Sequence, residues 1–371
     1  MNLQMKPQFE QRLATLRKRL LESGQDALLI FSPDNLRYLF NYSGEAAYGI
    51  VTQTGLYLIT DYRFLEQAQH ECVNEQIATE VICRDRDRQT LAQAIAAVLS
   101  DERALHIMYE AEHISVAMWQ SIAAGLPELL FTPALAMLEA QRKIKDEWEV
   151  EQIRQAAAIA DQALAILLPQ LKLGVSEREM ALELDYQMQR LGSEGVSFTT
   201  ILGFGARSAL PHCIPSARPL QQGDLIVIDF GAVVNGYRSD MTRSFVAGKA
   251  DARQQAMFDT VHAAQSAALA SLHAGLPASE ADAAAGAILN ASEFASYAGK
   301  GLGHGLGIKL HEQPFMGPHC HEVLQANYVV TVEPGIYIPG YGGLRLEDDV
   351  RITPQAYECL THAAKIFEVE I

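Results

Sequence analysis

Two stretches of the chain end apolar strands on acids. IDFGAVVNGYRSD, residues 228–240, follows the β-branched run Leu225-Ile226-Val227-Ile228 and carries Asp229 and Asp240. Burying an unpaired carboxylate is costly, and two close together are costlier, so the pair demands a neutralising partner. VEPGIYIPGYGGLRLED, residues 332–348, repeats the pattern. With Asp229 set on Glu333, Gly231 falls on Gly335 and Gly236-Tyr237 on Gly340-Tyr341 without a gap; Asp240 meets Glu347 three insertions later. Each copy reads as a strand ending in a carboxylate, a Gly-containing turn, and a return strand with a second carboxylate. Hairpin arms lie about 5 Å apart, so two facing hairpins would gather four carboxylates in one cleft. Such a cluster needs divalent metal, and a histidine often completes the shell. The candidate is His304 in GKGLGHGLGIKLHEQP, 299–314, where glycines on both sides let backbone come close. These glycines do not make a dinucleotide fingerprint, and HEQPF lacks the second His of a zinc helix. Asp229, Asp240, His304, Glu333 and Glu347 form an oxygen-rich set suited to two ions, Mn²⁺ first and Co²⁺ or Zn²⁺ after it. Two ions about 3.5–4 Å apart can hold a bridging hydroxide and polarise a carbonyl, which is hydrolase chemistry.

The elements that must position these residues follow from periodicity. Residues 1 to about 135 alternate helix and strand: a helix over 7–23 ending near Gly24, a strand at 26–31, a hairpin within 49–60, and helices near 62–75 and 90–100. CRDRDRQT, 83–90, reads as a solvated strand or loop. From about residue 140, Trp148, Ile153, Ala157, Ala160 and Leu164 at helical spacing predict a long helix. A capping box at Ser176–Glu179 opens a second helix that stops at Gly192, and two more are predicted over 252–274 and 279–291. Strand-rich blocks, 196–247 and 327–353, follow each helical pair. The order predicts an α+β domain of two similar halves over 140–371, behind an α/β domain over 1–135.

Composition narrows the partners. The formal net charge of −16 opposes nucleic-acid binding and gives no support to anionic membranes. No apolar run approaches the roughly 18 residues of a membrane span, and the charged N-terminal stretch lacks a signal peptide's apolar core. Five cysteines, odd in number and never in a CxxC pair, predict no disulfide framework and a reducing cytosol.

Taken together, SFTTILGFGARSALPHCIP, GDLIVIDFGAVVNGYRSDMTRSF, GLGHGLGIKLHEQP, VEPGIYIPG and GLRLEDDV resemble the pita-bread metallopeptidases, nearest prolidase and aminopeptidase P. The motifs cover about residues 140–365, and NLRYLFNYSG, 35–44, resembles the smaller creatinase-like domain that precedes the catalytic one. Methionine aminopeptidase generally lacks that domain and fits less well. The resemblance implies that Asp229 chelates one metal, Asp240 and Glu347 bridge both, and His304 and Glu333 hold the other, with Glu333 also assisting proton transfer. It implies substrate roles for His212 and His311 at the scissile amide. Arg345 matches an arginine near the metals, or else pairs structurally with Glu347; His319 and His321 read as a solvated loop. The implied reaction is hydrolysis of the bond between an N-terminal residue and a following proline, by a homodimer. Dipeptides and longer peptides both remain open as substrates, with a lean to the former because the first domain is short. A metal-free creatinase-type hydrolase and a non-enzymatic binding protein are disfavoured, because all five ligand types are present.

Overall fold

The computed structural model describes residues 6–74 and 77–371 and divides into two compact units, Lys6–Gln141 and Arg142–Ile371. In the first unit a six-stranded sheet has the order Glu80–Cys83, Leu56–Thr60, Tyr48–Thr52, Ala27–Ile30, His106–Glu110, Leu130–Ala134. The hairpin within 49–60 forms as expected, with Val51 paired to Leu56. The opening helix runs Phe9–Glu22, and Gly24, two residues past its end, holds φ +66°. The helix expected over 62–75 is shorter, Leu65–Cys72, because Val73 turns to extended backbone; residue 75 lies outside the described residues. The expected helix over 90–100 is Leu91–Asp101, capped by Thr90. Residues 85–88 of the charge-alternating stretch are exposed.

In the second unit each half backs a sheet with two helices. The first sheet has the order β4 (Glu368–Val369), β3 (Met241–Ala247), β2 (Leu225–Phe230), β1 (Ile201–Phe204). Helices Glu147–Leu167 and Glu177–Arg190 pack on it: Ala156, Ala160, Leu164, Leu184 and Met188 share a buried cluster with Ile226, Ile228, Phe230 and Phe245. The expected capping box forms, with the Glu179 amide donating to Ser176 Oγ and the Ser176 amide to Glu179 Oε2. The second sheet has the order Glu312–Met316, Gly303–Gly305, Val329–Val332, Asp348–Ile352, Tyr357–Cys359. Helices Ala252–Ser271 and Ala278–Ala291 cover it through Val261, Ala264, Ala281 and Ala285 against Val330, Val332, Val350 and Ile352.

The halves repeat down to single turns. Gly236 and Gly340, aligned by sequence, hold φ +79° and +76°, a left-handed backbone that glycine adopts without a Cβ penalty. Asn235 at φ +49° completes the Asn-Gly turn between Val233–Val234 and Tyr237–Arg238. The two return strands meet reciprocally. The amide of Asp240 donates to Asp349 Oδ2 at 2.9 Å, and that of Glu347 donates to the Thr242 carbonyl at 3.1 Å. In the repeat register Asp240 matches Glu347 and Thr242 matches Asp349, so each half uses the same position to hold the other. Arg243, 1% exposed, locks this seam by donating to the Glu347 carbonyl at 2.6 Å and to Asp348 Oδ1 at 2.7 Å.

A buried ion cluster fastens the start of the unit to the strand beyond His304. Arg142 donates to Glu312 Oε1 and Lys145 Nζ to Oε2 at 3.1 Å, all three residues being buried. Burial alone would push the Glu312 carboxyl up, but the Arg142 and Lys145 charges hold it at about 2. Its folded pKa lies below the unfolded value of about 4.3, so its stabilisation is present above that pH and lost on acidification towards the folded value. Glu312→Gln should therefore destabilise the protein at pH 7 by about 3–5 kcal/mol, the range for breaking a buried pair. Denaturant melts should show the gap to wild type closing as pH falls through the window from about 4.5 to about 2. A gap that is absent at pH 7, or constant down to the acid limit, would disprove the assignment.

Candidate metal centre and cleft

Strand geometry brings the acids together. Asp229 sits near the end of β2, opposite Thr242 on β3, and Asp240 lies just before β3 begins. In the second half Glu333 follows Val329–Val332 and Glu347 precedes Asp348–Ile352, whose first residue pairs with Val332. All four acids and His304 line one cleft of about 990 Å³, together with His212, His311, Tyr337 and Arg345. Each sequence-predicted site residue thus reaches the same cavity. His319 and His321 are exposed and do not line it.

His304 is placed by backbone closeness. A Cβ at Gly303 would stand 2.2 Å from the Thr331 carbonyl oxygen, and one at Gly305 2.3 Å from that of Gln313, so only glycine fits on either side. The His304 Nδ1 lies 3.0 Å from the Gly305 carbonyl; since a carbonyl only accepts, Nδ1 carries the proton and Nε2 keeps its lone pair. Nε2 lies 3.6 Å from Asp240 Oδ2 and 3.5 Å from Glu333 Oε1. Ligating atoms of Asp240, His304 and Glu347 all lie within 4.8 Å of one another.

The chain satisfies these acids only in part. Arg345 donates to Asp229 Oδ2, while Asp229 Oδ1 is buried with no hydrogen-bond partner among the described residues. Thr242 Oγ1 donates to Glu347 Oε2 at 2.6 Å, and Thr331 Oγ1 to Glu333 Oε1 at 3.1 Å. Burial, then the charges of Glu347 and Asp229, push Asp240 well above the usual carboxylate range. Glu347 rises for the same reason, burial first and then Glu333 and Asp229. Burial carries Glu333 up to about 7, with Arg345 pulling against it and Asp229 adding to it. Buried carboxylates that raise one another, an orphaned carboxylate oxygen and a free imidazole lone pair are the donor set of a hard or borderline divalent cation. The residues present fit such a group.

Sequence reasoning missed part of the support. Thr242 and Thr331 each lie two residues from a carboxylate, Asp240 and Glu333, and the period of two along a strand puts each pair on one face. That signal was readable. Arg345 meets Asp229 and Tyr337, its Nη1 lying 2.6 Å from the Tyr337 hydroxyl, whereas Glu347 receives its side-chain hydrogen bond from Thr242. Across the cleft the ring of His311 stands edge-on to that of His304, centroids 4.4 Å apart. Burial, then the neighbouring His304 and His212, lower the His311 pKa.

Comparison with known proteins agrees with this geometry. Residues 151–354 match metallopeptidase family M24, and residues 12–144 match the creatinase/prolidase N-terminal domain. An uncharacterised peptidase of Bacillus subtilis is 33% identical over 95% of this chain and 98% of its own. The solved Xaa-Pro dipeptidase from Bacillus anthracis superposes with a TM-score of 0.92 at 30% identity, over 98% of this chain and 100% of that one. The X-Pro aminopeptidase from Thermotoga maritima superposes with a TM-score of 0.89 at 31% identity, over 96% and 99%. The chain is a metallopeptidase of family M24, a pita-bread domain preceded by a creatinase-type N-terminal domain.

Proposed function

We propose that the protein is a dinuclear-metal-dependent Xaa-Pro dipeptidase, hydrolysing the amide between an N-terminal residue and a following proline. The observation that carries this is the orphaned, mutually repelling acid set at the head of the cleft. Asp229, Asp240, His304, Glu333 and Glu347 would hold two divalent ions, Mn²⁺ first, with Co²⁺ or Zn²⁺ as alternatives. Such ions act as Lewis acids on a carbonyl and activate water at neutral pH.

The remaining chemistry belongs to the chain. Glu333, oriented by the Thr331 hydroxyl at 3.1 Å, would take a proton from the attacking water and return it, as the family resemblance implies. His311, lowered by burial, is neutral there and can donate from a ring N–H to a developing oxyanion or to the leaving nitrogen. His212, exposed on the same cleft, would share that task. A prolyl amide has no N–H, so the site needs no acceptor for one, and the apolar wall of Phe198, Ile201 and Met316 suits a pyrrolidine ring. The aminopeptidase reading, with longer peptides as substrates, draws support from the likeness to the Thermotoga maritima enzyme. Five unpaired cysteines support a reducing cytosol, and no helix among the described residues is long and apolar enough to cross a membrane. A homodimer is proposed on the family resemblance alone, and light scattering would test it.

Protein stripped of metal and reloaded with Mn²⁺, Co²⁺ or Zn²⁺ should cleave an Xaa-Pro dipeptide, with no turnover in the stripped form. Cleavage of an Xaa-Pro-Xaa tripeptide only would overturn the dipeptidase preference, and cleavage of neither would overturn the peptidase reading. Asp240→Ala should abolish bound metal and activity together; a variant with full activity would refute the bridging role. Thr242→Val removes the hydroxyl shared by Glu347 and Arg345 Nε, and should weaken Mn²⁺ binding by about 10–100-fold. Calorimetric titration reads that loss directly, and wild-type affinity in the variant would show the hydroxyl to be dispensable.

A further inference from the structure

The cations of the cleft are not equivalent. Arg345 is buried and bonded to Asp229, Tyr337 and Thr242. Lys300 lines the same cleft but is exposed, and it makes no ion pair or side-chain hydrogen bond among the described residues. Its backbone is nevertheless fixed. The Gly299 amide donates to the Gly335 carbonyl at 2.9 Å, and the Leu302 amide to the Met316 carbonyl at 2.6 Å. Lys300 is thereby strung between the strand that carries Tyr337 and the strand that follows His311. Glycines flank it on both sides, leaving no neighbouring side chain on its own segment for the stem to lie along. It lies four positions before His304, at most about 14 Å of chain.

A free lysine in an acid-lined cleft, on a chain of net charge −16, calls for an anion from outside. We propose that Lys300 receives the free carboxylate of a two-residue substrate and so sets a preference for dipeptides; this rests on the Xaa-Pro reading above. A dipeptide ending in proline carries its carboxylate one residue past the scissile bond, where a longer peptide presents a neutral amide. The metal pair would be engaged at the scissile bond and Arg345 is tied to Asp229, so the exposed ammonium of Lys300 is left to answer that carboxylate. The compact ammonium reads charge rather than planar geometry, and a charge-assisted hydrogen bond is about twice as strong as a neutral one.

The test uses metal-loaded, full-length protein on an Xaa-Pro dipeptide and on its C-terminal amide, which differ by that charge. The ratio of kcat/KM for acid over amide is taken within each protein, so any loss of folded or metal-loaded fraction cancels. In the wild type the ratio should exceed about tenfold, the effect of one hydrogen bond to a charged group. Lys300→Met should bring it near unity through KM for the acid, and Lys300→Arg should restore most of it. Hydrolysis of both substrates with the same ratio in wild type and Lys300→Met overturns the Lys300 role and leaves the Xaa-Pro reading standing. Hydrolysis of neither substrate by the wild type overturns both.

Discussion

Four carboxylates repel one another across a single buried volume, and the surrounding structure is arranged around that repulsion. Asp240 and Glu347 are driven upward by burial and by their acid neighbours. The chain answers with partial measures. Arg345 takes one oxygen of Asp229, Thr242 one of Glu347, and Thr331 one of Glu333. These donors orient the carboxylates without cancelling their combined charge, because two of the three are neutral hydroxyls. Asp229 Oδ1 receives none among the described residues. A buried charge is stable only when paired, so the deficit is a standing demand for cations, the role family M24 assigns to divalent metal.

Duplication explains how so strained an arrangement can be assembled. One hairpin delivers two acids with fixed spacing; a second copy delivers two more, and a pseudo-two-fold makes the pairs converge. The reciprocal hydrogen bonds at Asp240 and Glu347 show the symmetry working at the level of single amides. Each half keeps its own helices and apolar cluster, so the seam between them can be polar while both cores stay apolar. The acids sit at that seam, where strand ends leave backbone and side chains free to face a cavity.

The strand-ending acids, the Gly-Tyr turns, the capping box at Ser176 and the glycines around His304 were legible in the sequence, because each is a local pattern with a local physical cause. The aligned positive φ of Gly236 and Gly340 supplies that cause for the repeat register. What was not legible depends on pairing across the chain. Arg345 and Asp229 are 116 residues apart, and Arg142 and Glu312 are 170 apart. No periodicity encodes such partners; only the closed fold selects them. Thr242 and Thr331 fall between these cases, since the strand period placed them beside the acids but gave no reason to prefer them over other neighbours.

The run Glu347-Asp348-Asp349 condenses the relation between fold and chemistry into three adjacent acids. Burial raises all three, yet they end in different states. Asp348 lies on the opposite face of the strand from its neighbours and meets Arg243 and Lys365, whose charges bring it below the ordinary aspartate value. Glu347 faces the cleft and Asp349 the Asp240 amide, and both stay well raised. Glu312 repeats the Asp348 solution with Arg142 and Lys145. Burial is common to both groups, so burial does not mark the site. The distinction is how much countercharge the chain supplies: Asp348 and Glu312 are each bonded by two cations, whereas among the four cleft acids Arg345 bonds Asp229, and Glu333 and Glu347 receive neutral hydroxyls.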